Sequence, residues 1–286
     1  MRHFLIYTNV NKDVELKTTT KIQDYLQNKG VRVTILEEKG DWKENDRSGA
    51  ERFASIPEDV DCLLVLGGDG TVLQAARETR KLEIPMIGVN LGTLGYLTEV
   101  EPANLFQALD RLLAGEYAIE GRMMLTGSVS SAEGQQEGWA LNDIVITRRG
   151  ILQIVRFDIY VNGQFLTTYN ADGVIVTTPT GSTGYNLSAG GPIISPSAKL
   201  IMMTPVCSHS LNQRSIVFSP DDVIEIVIPE GREGRVQTVE VNFDGSHTIA
   251  LRSGDRIRVE QSEKMTKFIQ LNQVSFLEVL RKKMAD

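Results

Sequence analysis

Short apolar runs alternate with helical patterns along the first third of the chain. The apolar runs, each typical of a buried strand, are 3–8, 31–36, 62–68 and 84–90. Between them, the spacing of apolar residues predicts helices from Asp13 to Gly30, over 70–81 and over 102–114. The run 62–68, "CLLVLGG", is apolar throughout, as expected for a strand covered on both faces. This alternation predicts an open parallel sheet covered by helices.

Residues 37–57 interrupt this alternation because they are polar, charged and without a clear period. Such a composition is typical of connections that run over a protein surface. We expect a mobile loop or a short helix there.

From about residue 120 the chain changes to short alternating runs separated by turns. The segment "FDIYVNGQFLTTY" (157–169) consists of two such runs around Asn162-Gly163, a strong hairpin signal. The segments 236–243, 247–251 and 256–260 also alternate between apolar and polar residues. We therefore expect an all-β region of eight to twelve strands, arranged as a sandwich or a similar fold.

The two patterns predict two domains, an α/β domain over 1–118 and an all-β domain over 119–272. The last segment, "VSFLEVLRKK" (274–283), returns to helical spacing and has a basic end. At 286 residues, the chain is long enough for two ordinary domains with their own cores.

Charge and composition narrow the range of partners. The net charge of −7 argues against a nucleic-acid binder or a protein that binds anionic membranes, because both need a basic face. No apolar stretch approaches the ~20 residues that span a bilayer. Cys62 and Cys207 match neither a disulfide framework nor a zinc motif. We expect a reduced, cytoplasmic protein that binds neither nucleic acid nor membrane.

The segment "LVLGGDGTVL" (65–74) carries the candidate chemistry. Gly67 and Gly68 end a predicted strand, Gly70 follows it, and a helix begins near Thr71. Backbone N–H groups in such a loop, together with the helix N-terminus, favour phosphate binding. No lysine follows the glycines, however, so the segment is not a P-loop, and the spacing of its glycines does not match the dinucleotide-binding pattern G-x-G-x-x-G.

Asp69 places a carboxylate among these glycines and admits two interpretations. It can act as the N-cap of the helix, where its side chain would accept backbone N–H groups. Alternatively, it can accept the proton of an attacking hydroxyl while the glycines hold phosphates. A carboxylate beside phosphates is also a natural partner for Mg²⁺. The second interpretation indicates a kinase that phosphorylates an alcohol.

At these residues the sequence resembles a known family. "GGDGT" (67–71) is shared by NAD kinases, phosphofructokinases and diacylglycerol-type lipid kinases. "GVNLGTLGYL" (88–97), "LNDIVITR" (141–148) and "DGVIVTTPTGSTGYNLSAGGPI" (172–193) are similar to segments of bacterial-type NAD kinases, and "NFDGS" (242–246) follows in the same order. The resemblance covers nearly the whole chain.

The resemblance implies an activity and an architecture. The activity is transfer of the γ-phosphoryl group of ATP, with Mg²⁺ or another divalent cation, to the 2′-hydroxyl of the adenosine ribose of NAD, giving NADP. The architecture is a Rossmann-like amino-terminal domain, a β-sandwich carboxyl-terminal domain and a tail, 273–286, that packs on the first domain. The family also implies a homodimer or homotetramer.

The resemblance also implies site residues. Asp69 corresponds to the catalytic aspartate, and no side chain is assigned as a metal ligand. The residues matched to substrate binding are Gly67, Gly68 and Gly70 with Thr71 at the phosphates, Tyr96 near the nucleotide, Asn142 and Asp143 at ribose and adenine, and Asp172, Thr183, Tyr185, Ser188 and Asp244 in the NAD site. Glutamate is frequent in the family at the position of Asp143, and alanine at that of Gly184.

Other interpretations remain open at this point. Taken alone, "LND" is also typical of an Asx turn at a strand end, and Tyr96 of a core aromatic. "GGDGT" alone would also fit a kinase that acts on a lipid or a sugar phosphate. A non-catalytic nucleotide sensor would bind NAD or NADP without consuming ATP.

Overall fold

The computed structural model describes residues 1–38, 56–93, 95–150, 154–209, 214–271 and 275–285. The chain divides into two compact units, residues 1–122 with 266–286 and residues 123–265. Most of the loop predicted over 37–57 lies outside the described residues.

The first unit contains a parallel sheet. Its strands are β1 (His3–Thr8), β2 (Arg32–Glu37), β3 (Cys62–Gly67) and β4 (Met86–Asn90). Their order is β2-β1-β3-β4, and each neighbouring pair is parallel. Every residue of β1, β3 and β4 is buried, as their continuous apolar runs predict.

Helices cover this sheet. They are α1 (Lys17–Asn28), α2 (Asp69–Thr79) and α3 (Leu105–Ala114), with short 3₁₀ turns at Val14–Leu16 and Pro102–Asn104. Ile22 and Leu26 of α1 and Leu109 of α3 belong to one core with Ile6 and Leu64 of the sheet. The α/β prediction is thereby confirmed for this part of the chain.

Asp13 lies before the first residue of α1, and its side chain accepts hydrogen bonds from the N-terminal turn of that helix. The helix begins at Lys17, and Val14 is exposed instead of lying on the predicted buried face. The Asp13 carboxylate accepts hydrogen bonds from the backbone N–H groups of Thr18 (2.8 Å) and Thr19 (2.8 Å) and from the Thr19 hydroxyl (2.6 Å). Burial raises the pKa of Asp13, but these hydrogen bonds outweigh it, so that its net pKa is lowered.

The second unit is built from antiparallel strands. In chain order, the strands from here to the end are β5 (Ala118–Ser131), β6 (Gly134–Ala140), β7 (Asp143–Arg148), β8 (Val155–Val161), β9 (Gln164–Ala171), β10 (Gly173–Thr177), β11 (Ile201–Val206), β12 (Ile216–Phe218), β13 (Ile224–Val227), β14 (Thr238–Phe243), β15 (His247–Arg252) and β16 (Arg256–Gln270). One sheet has the order β12-β11-β10-β7-β14-β15; β16-β13-β8-β9 are neighbours in the other, where β5 pairs with β6.

A single hydrophobic core lies between these two sheets. It combines Phe157 and Ile159 of β8 with Val239, Val241 and Phe243 of β14, which alternate along their strands. The predicted hairpin is confirmed as β8–β9, where Asn162 (φ 51°) and Gly163 (φ 78°) form the turn. The sandwich prediction is confirmed.

Two short helices complete the described chain. α4 (Tyr185–Ser188) follows a 3₁₀ turn at Thr180–Thr183 after β10. α5 (Phe276–Met284) belongs to the first unit, and the Ser275 side chain caps it by accepting from the N–H of Glu278 (3.2 Å). None of the helices in the described part of the chain has the length and apolarity that crossing a membrane requires.

We predict that Asp13→Ala lowers the free energy of unfolding by about 1–3 kcal/mol, because it leaves buried N–H groups without acceptors. The matched control is Asp24→Ala on the exposed face of the same helix. Urea denaturation followed by circular dichroism measures both variants. Equal unfolding midpoints for the two variants would contradict this role of Asp13.

Candidate active site

Asp69 lies where β3 passes into α2. Gly68 is the N-cap residue of α2 and Asp69 is the first helical residue. The Asp69 side chain makes no capping hydrogen bond. Instead, its Oδ2 accepts from the backbone N–H of Tyr96 (2.8 Å), and its Oδ1 accepts from that of Leu97 (3.0 Å). The interpretation of Asp69 as a helix cap is therefore wrong.

The pairing of β3 with β4 brings these two donors to Asp69. Gly67 of β3 is opposite Asn90 of β4, and the N–H of Leu91 donates to the carbonyl of Gly67 (2.8 Å). The chain after β4 therefore begins beside the glycine loop. Gly95 permits the close approach, since a Cβ at this position would overlap the Asp69 carboxylate.

The ring of Tyr96 packs against side chains of α5. It lies 6.2 Å from that of Phe276 between centroids, and the ammonium group of Lys283 lies 4.7 Å from the Tyr96 ring centre. Burial, and to a smaller extent the charge of Asp69, raises the pKa of Tyr96. The predicted nucleotide contact thus lies beside the predicted catalytic residue.

The Thr71 hydroxyl makes hydrogen bonds to two other side chains of the protein. It accepts from Nδ2 of Asn9 (3.2 Å) and donates to Oε2 of Glu38 (3.4 Å). The backbone N–H groups at the start of α2 have no intrahelical acceptor, because the first bond of the helix runs from Val72 N–H to Gly68 carbonyl (3.1 Å). Phosphate oxygens would therefore meet the backbone of this loop, not the Thr71 side chain.

In the second unit, Asp244 holds the turn between β6 and β7. Its Oδ2 accepts from the N–H of Leu141 (2.7 Å), and its Oδ1 accepts from the N–H groups of Asn142 (2.9 Å) and Asp143 (3.0 Å). Asp244 itself has a positive φ of 48°. In this arrangement Asp244 orients the two residues that the sequence matched to ribose and adenine.

The same turn is held from its other side by the end of β10. The Thr177 hydroxyl donates to the Asn142 carbonyl (2.9 Å), and the Thr178 hydroxyl donates to that of Leu141 (2.6 Å). Within the described chain, Oδ1 of Asn142 is buried and has no hydrogen-bond partner. An oxygen in this state needs a donor from a ligand or from water.

The segment after β10 divides into buried and exposed residues. Ser182 and Asn186 are fully buried; Asn186 donates to the carbonyls of Ser182 (3.2 Å) and Pro192 (3.2 Å) and accepts from the Thr204 hydroxyl (2.7 Å). These buried bonds fix the segment. The residues matched to NAD, by contrast, are partly or fully exposed: Thr183, Tyr185 and Ser188.

This segment meets the turn between β6 and β7. A Cβ at Gly184 would lie 3.4 Å from Nδ2 of Asn142 and 3.7 Å from Oδ2 of Asp143. The structure therefore brings Asn142, Asp143 and the exposed segment together within the second unit. Asp172, between β9 and β10, forms an ion pair with Arg148 (3.2 Å).

Sequence reasoning missed the residues that hold these side chains in place. They are Gly95, Leu97 and Phe276 in the first unit, and Ser182, Asn186 and Thr204 in the second. Several of them lie within the matched segments, but the contacts of Leu97 with Asp69 and of Thr204 with Asn186 join residues 28 and 18 positions apart along the chain. No local pattern identifies such pairs.

Asp143 titrates unusually because it is buried beside a second carboxylate. Burial raises the pKa of Asp143 to about 7 from 3.8, and the negative charge of Asp244 adds to the effect. Near neutral pH, Asp143 is therefore protonated in a fraction of the molecules. The protonated carboxyl group can donate a hydrogen bond.

Two family models match the chain. The ATP-NAD kinase N-terminal domain matches residues 4–117, and the ATP-NAD kinase C-terminal domain matches residues 141–271. The chain belongs to the ATP-NAD kinase family. An NAD kinase from Agathobacter rectalis is 47% identical over 286 residues, covering 100% of this chain and 99% of that protein.

Solved structures of ATP-NAD kinase relatives have the same fold. A yeast NADH kinase complexed with NADH has a TM-score of 0.78 at 25% identity and covers 98% of this chain and 86% of its own. An NAD kinase from Archaeoglobus fulgidus in complex with ATP has a TM-score of 0.75 at 24% identity. The match covers 100% of this chain and 98% of that protein's chain. The predicted family, fold class and phosphotransferase assignment are confirmed.

We predict that Asp143→Asn stabilises the protein at pH 8 and that this advantage shrinks by roughly 2 kcal/mol at pH 5. The folded-state pKa of Asp143 lies above its unfolded value, so the carboxyl group destabilises the fold increasingly as the pH rises from 3.8 to about 7, and the effect levels off above that. Asparagine mimics the protonated form at every pH.

The measurement is the unfolding midpoint of both proteins between pH 5 and pH 8. The exposed Asp221→Asn serves as the control and should show no such dependence. A difference between Asp143→Asn and the unchanged protein that stays constant with pH would contradict the raised pKa.

Proposed function

We propose that this protein transfers the γ-phosphoryl group of ATP to the 2′-hydroxyl of the adenosine ribose of NAD, producing NADP. The observation that carries the proposal is the position of the Asp69 carboxylate, held by two backbone N–H groups at the glycine loop. Membership of the ATP-NAD kinase family supports the identity of donor and acceptor.

In the proposed reaction, Asp69 accepts the proton of the attacking hydroxyl. Each of its oxygens accepts one backbone hydrogen bond, which leaves further lone pairs for the substrate. Because these bonds fix the carboxylate in advance, it need not reorganise when the hydroxyl arrives. Removing the proton makes the oxygen nucleophilic as it attacks the γ-phosphorus.

We propose that the glycine loop binds phosphates through its backbone. Among Gly67, Gly68 and Gly70, the first two are buried and Gly70 is exposed. The N–H groups of the first turn of α2, including that of Thr71, have no intrahelical acceptor and are proposed as the donors to phosphate. The helix N-terminus also favours negative charge at this position.

Residues of the second unit are proposed to bind the nucleotide. The buried Oδ1 of Asn142 is suited to accept from an adenine amino group, and Asp143 is suited to the ribose hydroxyls. The exposed ring of Tyr185 offers a stacking face. Further contacts are assigned to Asp172, Thr183 and Ser188, while Asp244 is proposed to act by orienting Asn142 and Asp143. In the first unit, Tyr96 is also proposed to contact the nucleotide.

We propose that Mg²⁺ or another divalent cation enters with ATP. Among the described residues there is no group of three or more histidine, cysteine, aspartate or glutamate side chains that could hold a metal ion. Mg²⁺ commonly binds through substrate phosphates, water and one or two carboxylates, so the residues present fit a metal carried by the donor. Its chemistry would be neutralisation of phosphate charge.

A cytoplasmic location and a homodimeric or homotetrameric state are further proposals, based on family membership and on the acidic net charge. No nucleic-acid or membrane partner is proposed. Light scattering of the purified protein tests the oligomeric state.

We predict that Asp69→Asn lowers NADP formation by ~10²–10⁴-fold while NAD still binds, because the variant cannot accept the hydroxyl proton. A coupled assay of NADP production from NAD and ATP measures the rate, and calorimetry measures NAD binding. The exposed Asp110→Asn is the matched control. Unchanged turnover in Asp69→Asn would refute the role. Phosphorylation of a lipid without NADP formation would refute the acceptor.

We predict that Gly95→Ala lowers kcat by up to ~10²-fold with a smaller change in the KM for NAD. The added methyl group must displace the Asp69 carboxylate, and a shift of about 1 Å in a reacting group has effects of this size. Steady-state kinetics gives both constants, and the thermal unfolding midpoint checks that the variant is folded. A folded variant with normal kcat would show that the position of Asp69 is not critical.

A further inference from the structure

We propose that Lys12 binds the phosphate chain of the nucleotide donor and supplies the positive charge that the glycine loop lacks in its own sequence. This inference rests on the proposed function and adds a donor-binding residue to it. Lys12 lies in the loop after β1, 55 or more positions before the glycines, and no sequence pattern connects the two.

The Lys12 ammonium group lies directly over the glycine loop. A Cβ at Gly68 would lie 2.6 Å from Nζ of Lys12, and a Cβ at Gly92 would lie 3.9 Å from the same atom. Gly68 follows β3 and Gly92 follows β4. The ammonium group therefore occupies the space above two adjacent loops, and the absence of a side chain at position 68 makes that space available.

The sheet topology places this ammonium group in a ligand crevice. In the order β2-β1-β3-β4, the chain proceeds from β1 to β2 on one side, and β3 then pairs with β1 on the other. In open α/β sheets, ligands bind outside the carboxyl ends of the strands at such a reversal. The loop after β1 carries Lys12, and the loop after β3 carries the glycines.

The backbone that carries Lys12 is fixed on both sides. The N–H of Asn9 donates to the Leu66 carbonyl (3.0 Å), and its Nδ2 donates to the Thr71 hydroxyl (3.2 Å). The N–H of Lys12 donates in turn to the Asn9 carbonyl (3.0 Å). The next residue, Asp13, accepts a hydrogen bond from the N–H of Thr18 in α1. Since the loop is already ordered, binding a phosphate would cost little beyond the freedom of the Lys12 side chain.

The surrounding charges require a cation at this place. Asp69 lies within the loop, and Glu38 lies beside Thr71. Burial and then the charge of Glu78 raise the pKa of Glu38, and the positive charge of Lys12 opposes this shift. A triphosphate brought to these carboxylates would be repelled without a compensating positive group. Lys12 is the described lysine that lies over the glycines.

The test compares Lys12→Met with Lys12→Arg in the full-length protein. We expect Lys12→Met to raise the KM for ATP about 10- to 100-fold, the effect of losing one charge-assisted contact, with a much smaller change in the KM for NAD. Lys12→Arg should recover part of the ATP affinity because it keeps the charge. Lys17→Met removes an exposed lysine from the start of the neighbouring helix and should leave both constants unchanged.

Binding without turnover separates this inference from the proposed function. Calorimetry with ATP, and with inorganic triphosphate, measures affinity in the absence of NAD. Weaker binding of both by Lys12→Met, with a shallower dependence on salt, would support the inference even if no NADP were formed. Equal affinities in Lys12→Met and the unchanged protein, or a higher KM for NAD alone, would overturn it.

Discussion

The hydrogen bonds from Tyr96 and Leu97 to the Asp69 carboxylate are the constraint on which the first unit's candidate site depends. An aspartate at the start of a helix normally turns toward the N–H groups of that helix. Here the pairing of β3 with β4 supplies two other donors, and the carboxylate is directed away from α2. Asp69 therefore does not cap the N-terminus of α2, which is the proposed binding place for phosphate.

The second unit uses a carboxylate in a comparable way. Asp244 accepts from three consecutive backbone N–H groups, and this fixes the turn that presents Asn142 and Asp143. The consequence is electrostatic as well as geometric, because burial, and then the negative charge of Asp244, raises the pKa of Asp143 to about 7. Asp244 therefore both orients the turn and adds to the effect of burial on the pKa of Asp143.

In the segment after β10, buried polar residues fix the backbone, while the neighbouring residues that are proposed to bind NAD are exposed. Asn186 is fully buried and makes bonds to three partners, whereas Tyr185 beside it is 43% exposed. A buried amide without partners would be costly, so these bonds keep the segment in one conformation. For the proposed substrate, this would be a surface that is already ordered before binding.

The sequence by itself determined the strands, the family and the residue types of the candidate site. Strands such as 62–68 and the Asn162-Gly163 hairpin follow from local apolar patterns and turn chemistry, which act over a few residues. Only the tertiary structure decided that Asp69 faces Tyr96, that Lys12 lies over Gly68, and that Asp143 is buried beside Asp244. These pairs are 27, 56 and 101 positions apart, and strand register and core packing bring them together. Local patterns do not encode contacts at such separations.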